Sequence, residues 1–170
     1  MHRLVLWVLM LSVPAPLYGQ AGSPWAGQRK RIVTVTAGTG NALGWLGLQG
    51  ERYLSRDRLS AFVGAGYTPE LDAGDPSGPT FAAGVRGFTP GFKHRGFLEL
   101  SFSQLALVYG PAEERRRLYG PGLQAGYQFV TAGGFTLMLS LGLGYAPGVP
   151  EGESDVGGMG GLSLGYTWRR

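Results

Sequence analysis

Three charged residues lie inside stretches that otherwise alternate large apolar with small side chains: Glu51, Arg86 and Glu99. Each has the parity of the small side chains around it, so all three share a face with Gln49, Gln124 and Gln128. An arginine between two carboxylates, extended by amides, is either a paired structural network or a path for protons or ions. A lone buried charge costs several kcal/mol, which favours the paired network. His94 with Glu99, Ser101 and Ser103 supplies the residue types of a Ser-His-acid lipid hydrolase. In an extended strand His94 and Glu99 project from opposite faces, so no triad follows and no catalytic residue is assigned. Arg115-Arg116-Arg117 offers guanidinium forks suited to phosphate and is a candidate for loop contacts, although Glu113-Glu114 stands beside it to pair with it. Asp72, Asp75, Glu151, Glu153 and Asp155 are oxygen donors of the kind Ca²⁺ takes, but their spacing is irregular and they read as solvated loop residues. No metal or cofactor site is expected. With Cys 0, a thiolate zinc site, a cysteine nucleophile and a disulfide scaffold are excluded.

The elements that must carry these residues follow a leader. Residues 1–21 have the form of a cleaved secretory signal: Arg3, the apolar run Leu4 to Leu11, and a Pro-bearing tail ending in small residues near Gly19 and Ala21. The apolar run is too short to span a bilayer as a helix, which takes about 20 residues. Residues 22–170 are then expected to be a single domain. Of the 170 residues 31 are glycine, and only 15% are charged. The low charge argues against disorder, and basic residues interleaved with aromatics, the mark of a nucleic-acid surface, are missing.

From Arg31 onward apolar residues recur at every second position, and Gly/Pro/Asp/Ser clusters separate the runs, which is the signature of strands. Eight runs can be read, an even number. Val33-Val35-Ala37, Leu46-Leu48, Leu59 to Tyr67, Phe81 to Val85, Leu98 to Phe102, Tyr119 to Phe129, Phe135 to Tyr145 and Leu162 to Trp168 form the bulky faces. The opposite faces are Gly, Ser, Thr and Gln with a few charges. An eight-stranded barrel has an interior only just wide enough to be filled by side chains, so the bulky faces would overfill it. Turning the barrel inside out, with small polar groups in the bore and apolar groups in lipid, removes the conflict. Aromatics near run ends, such as Tyr67, Phe81, Tyr145, Tyr166 and Trp168, would form girdles at the two interfaces. Unpaired backbone groups in hydrocarbon cost several kcal/mol each, so the first and last runs must pair. The expected fold is therefore an all-β, closed, eight-stranded antiparallel up-and-down transmembrane barrel. Its inner turns would be Ser55–Arg58, Thr89–Arg95 and Thr131–Gly134. The outer loops would be a short one at Gly40-Asn41 and longer ones at Pro69–Pro79, Gly110–Arg117 and Pro147–Asp155.

Two strand stretches and the C-terminal run carry a resemblance. Gly47-Leu48-Gln49-Gly50-Glu51-Arg52-Tyr53-Leu54 and His94-Arg95-Gly96-Phe97-Leu98-Glu99-Leu100 are similar to the second and fifth strands of small bacterial outer-membrane barrels of the eight-stranded OmpA/OmpX-like kind. Leu162 to Trp168 resembles the C-terminal signal read by the barrel assembly machinery, with Arg169-Arg170 added after the aromatic. The resemblance covers nearly all of residues 22–170. It implies an exported outer-membrane protein with lipid and lipopolysaccharide as surroundings, the assembly machinery as a partner during insertion, and a monomer. A non-catalytic role in surface binding or envelope structure is expected. A narrow pore, a lipid-modifying enzyme and a soluble periplasmic β-barrel binding protein are the alternatives.

Overall fold

A computed structural model describes residues 32–40, 43–55, 58–70, 77–108, 116–147 and 154–169. Within them eight strands follow in order: β1 (Ile32–Gly40), β2 (Gly44–Ser55), β3 (Leu59–Thr68), β4 (Gly78–Phe88), β5 (His94–Val108), β6 (Arg116–Val130), β7 (Phe135–Tyr145) and β8 (Val156–Arg169). Each pairs antiparallel with the next, and β1 closes on β8, giving one closed barrel with no free sheet edge. The closing ladder runs from Ile32 opposite Arg169 to Gly40 opposite Gly161. The leader expected at residues 1–21 lies outside the described residues.

The alternation read from the sequence is realised as an outside and an inside. Val35, Leu48, Val63, Phe81, Leu100, Leu123, Leu141 and Leu164 all lie exposed on the outer surface, Leu141 to 69%. Their strand neighbours Thr36, Gln49, Glu51, Arg86, Glu99, Gln124 and Gln128 are buried in the bore. A soluble barrel needs the reverse, because water would then wet the bulky groups. At roughly 25 cal/mol per Å² of apolar surface removed from water, such a belt is stable only against hydrocarbon. Aromatics edge it at both ends: Trp45, Tyr67, Phe81 and Tyr145 towards the long connections, and Phe135, Tyr166 and Trp168 towards the chain ends, all exposed.

The bore is less uniformly small than the sequence suggests. Phe62, Phe88, Phe97, Met138, Leu105 and Met159 point into it and are buried. Glycines on facing strands make the room: a Cβ on Gly84 would stand 2.8 Å from the Phe62 ring, and one on Gly126 would meet the Phe97 ring at 2.2 Å. The glycine content is thus partly a set of sockets for a few large inward side chains.

Strand limits differ from the expected runs at several points, with β8 beginning at Val156, ahead of Leu162, among them. The turn expected at Thr89–Arg95 ends earlier, because β5 begins at His94; Thr89 N donates to Gly96 O and Val130 N to Lys93 O, which draws the chain into the sheet. β5 and β6 continue beyond the expected runs, and Arg116 and Arg117 belong to β6, opposite Val108 and Leu107, not to a loop. Arg115 lies outside the described residues. The tight link between β1 and β2 depends on glycine geometry, with Gly44 at φ 66°, a region that side chains with a Cβ avoid.

The seam between β1 and β8 leaves no room for added volume. A Cβ on Gly165 would lie 2.0 Å from Val35 O and 2.6 Å from Thr36 Cα, whereas one on Gly158 meets nothing within 4 Å. Gly165→Val is expected to lower stability by about 1–3 kcal/mol through overpacking, and Gly158→Val to stay within about 0.5 kcal/mol. Urea unfolding of the refolded barrel in detergent micelles checks this; equal stabilities would contradict the closed seam.

Candidate functional site

Polar chemistry in the described residues concentrates in the bore, and strand register assembles it. One row across the sheet sets Ser60 opposite Arg86, Arg86 opposite Glu99, Glu99 opposite Gln124, and Gln124 opposite Gly142. Because directly opposed side chains on one face lie about 4.5–5.5 Å apart at Cβ, this row brings Arg86, Glu99 and Gln124 together, while Gln49 and Glu51 reach Arg86 from other rows, opposite Gly64 and Phe62. The bulge-free pairing of β4 with β5 keeps Arg86 and Glu99 on the same side.

Arg86 is the hub. Its Nε donates to Glu99 Oε2 at 2.6 Å and its Nη2 to Gln49 Oε1 at 3.1 Å, while Nη1 stands 3.5 Å from Glu51 Oε2. Gln124 Nε2 donates to the other Glu99 oxygen at 2.9 Å, and Ser140 Oγ donates to Gln124 Oε1 at 3.0 Å. Ser60 Oγ donates to Glu51 Oε1. The guanidinium carbon also lies 4.1 Å from the centre of the Phe62 ring and 5.2 Å from that of Phe97. Charge, hydrogen bonds and ring faces therefore all restrain one side chain. Burying these ions is tolerable only because each has partners.

Gln128 is not a member of this layer. It sits nearer the chain-terminal end in a second one, built on Arg95, the last residue of the turn expected at Thr89–Arg95. Arg95 is 1% exposed; its Nε donates to Gln128 Oε1 at 2.6 Å and its Nη2 to the Tyr53 hydroxyl. The Tyr53 hydroxyl donates in turn to Gln128 Oε1 at 3.2 Å. Arg95 Cζ lies over the rings of Phe88 at 3.9 Å and Tyr53 at 4.8 Å. The signal that would have found it is parity: Arg95, Phe97 and Glu99 alternate with Leu98 and Leu100, so extending the strand by two residues turns Arg95 inward. A third polar group, Thr34, Thr136 and Thr167, joins β1, β7 and β8 through hydroxyl contacts of 2.8 and 2.6 Å.

These layers leave little space. A cavity of about 30 Å³ lies on the loop side of Arg86, lined by Gln49, Glu99, Gln124, Ser140 and the β8 stretch Gly160 to Ser163 among others. Holding one water takes about 10–15 Å³, so the cavity admits a water or two and nothing of substrate size. Beyond it the Arg86 layer, the cluster of Phe88, Phe97 and Met138, and the Arg95 layer fill the bore in succession. The hydrolase residues are not assembled. Glu99, Ser101 and Ser103 face inward, while His94 is exposed on the outer face, with its Nδ1 hydrogen-bonded to the Tyr127 hydroxyl and its ring 4.8 Å from that of Phe129. Among the described residues no group of three or more metal-ligating side chains occurs.

No protein-family model and no curated protein matches the chain. Among solved structures it is similar to the N-terminal β-barrel domain of Pseudomonas aeruginosa OprF, with a TM-score of 0.53 and 16% identity over 83% of this chain and 98% of that one. The solution structure of outer membrane protein H (OprH) from P. aeruginosa in DHPC micelles matches with a TM-score of 0.48 and 12% identity, covering 83% of this chain and 99% of that one. The first likeness establishes the fold: a closed, all-antiparallel, eight-stranded barrel of that kind.

Removing the hub alone strands two carboxylates. Arg86→Met is expected to destabilise the barrel by about 3–5 kcal/mol, and the triple variant Arg86→Met/Glu51→Gln/Glu99→Gln to recover most of the loss. Denaturant unfolding of the refolded proteins reads both; a single variant as stable as the parent would show that the network carries no weight.

Proposed function

We propose that the chain is an integral outer-membrane barrel that works without catalysis, with a bore sealed by its two arginine layers. In this reading the end where β1 begins and β8 stops faces the periplasm. The connections at residues 69–77, 109–115 and 146–155 then stand at the cell surface, on the same side as the short link 41–43. They serve contact with lipopolysaccharide, surface glycans or proteins, or the barrel simply supports the envelope; function on such scaffolds resides in loops. The observation that carries the reading is the pairing of an exposed apolar belt with a filled, ion-paired interior. A belt of that kind has a use only in lipid, and an interior of that kind has no room for a substrate. The closed sheet leaves no edge to cover, which favours a monomer. The C-terminal run ending in Tyr166 and Trp168 suits delivery by the barrel assembly machinery, and export through the leader precedes it.

Three measurements test the proposal. Membrane fractionation with a gel comparing heated and unheated samples should place the protein in the outer membrane and show a heat-dependent mobility shift. Recovery in the soluble fraction without a shift would point instead to a soluble periplasmic barrel. Reconstituted in a planar bilayer, the protein should give no discrete conductance steps; regular steps would make it a pore. Lipid A profiles from cells carrying the parent or His94→Ala should be identical, and a difference would reopen the hydrolase.

A further inference from the structure

The two ends of the barrel differ sharply in charge. Apart from Glu51 and Glu99 in the bore, every acidic residue except Asp57 falls in the connections at the loop end. The chain-terminal end is basic instead. Arg58 and Lys93 are exposed in the turns after β2 and β4, and His94 is exposed beside Lys93. Their places in the sheet are fixed by backbone bonds: Phe88 N donates to Arg58 O and Val130 N donates to Lys93 O. The same end of the chain adds Lys30-Arg31 before β1, Arg56 in the β2–β3 turn and Arg169-Arg170 at the close of β8.

Arg52 is the decisive member. It is exposed on the outer, otherwise apolar face of β2, opposite Val33, which in turn lies opposite Trp168. A guanidinium on a lipid-facing surface is expensive unless its long stem carries the charge out to the headgroups. Three residues from the end of β2 and in the Trp168 row, it stands at the depth where aromatic side chains mark the interface. Charge of this sign, at this depth, on both the wall and the turns, is complementary to lipid phosphate.

We propose that this rim is a binding surface for anionic phospholipid headgroups, which Arg52, Arg58 and Lys93 gather around the periplasmic end of the barrel. The proposal rests on the membrane reading above and adds a lipid preference to it. The loop end also carries Arg115-Arg116-Arg117, but eight acidic residues outweigh them there, so its surfaces would not share the preference.

Tryptophan quenching by brominated lipid tests it, since Trp168 lies at the basic rim and Trp45 at the loop end. The protein is refolded into vesicles of phosphatidylcholine containing 30% phosphatidylglycerol, with bromine carried by one lipid or the other. With Trp168 as reporter, in Trp7→Phe/Trp25→Phe/Trp45→Phe, the anionic lipid should be enriched about threefold to fivefold over its bulk share, the scale set by a basic side chain at an anionic surface. Raising the salt to 0.5 M should reduce the enrichment. Arg52→Gln/Arg58→Gln/Lys93→Gln should bring it to parity without changing quenching by phosphatidylcholine. With Trp45 as reporter, in Trp7→Phe/Trp25→Phe/Trp168→Phe, no enrichment is expected. Equal quenching by both lipids at Trp168, or enrichment that survives the triple substitution, overturns the proposal while leaving the membrane barrel intact. Absence of quenching by either lipid overturns the membrane reading and the rim together.

Discussion

Everything in this barrel depends on satisfying the backbone without water. In hydrocarbon an unpaired N–H or C=O has no alternative partner, so the sheet must return on itself, and β1 must find β8 in one register. Once it does, each strand has one wall in lipid and one in a bore too narrow for bulk solvent. The same constraint reaches the side chains. Outside, bulk and apolarity are free to accumulate; inside, every large group needs a socket and every polar group a partner. Gly84 and Gly126 supply sockets for Phe62 and Phe97, and Arg86 supplies the partner for Glu51 and Glu99.

The interior holds two polar layers, and neither is a single register row: the row through Arg86 runs on through Ser60 to Tyr53, a partner of Arg95, while Gln49 and Glu51 reach Arg86 from other rows of β2. Arg86, Glu99 and Gln124 meet since they oppose one another on three consecutive strands, and Arg95 meets Gln128 for the same reason one row system lower. Between them lie the rings of Phe88 and Phe97 with Met138. Guanidinium groups stacked on ring faces gain from the ring quadrupole while their edges remain free for carboxylates and amides. Among the described residues, the bore is thus filled by side chains of the wall itself. The same contacts tie the walls to one another.

Individual residues show where reading the chain succeeded and where it stopped. Leu137, Leu139 and Leu141 were legible as a lipid face because period-two alternation survives in any strand, whatever it pairs with. Arg86 and Glu99 were legible as partners through shared parity and a polar setting. Arg95 was not, because a Thr-Pro-Gly-Phe-Lys-His stretch reads as a loop and hides that the strand starts inside it. Gln128 was grouped with Arg86 because parity gives a face but not a height along the bore. Arg116 and Arg117 looked like loop residues since their charge conceals the continued pairing of β5 with β6.

Amino-acid order alone determined the number of strands, which face of each is apolar, the even count and the inverted placement of bulk, because these follow from a two-residue repeat and the volume of side chains. Height along the axis was decided only by the closed sheet, since the stagger between neighbours is a sum over eight ladders and no single strand contains it. That is why one arginine found two carboxylates while the other found an amide and a phenol.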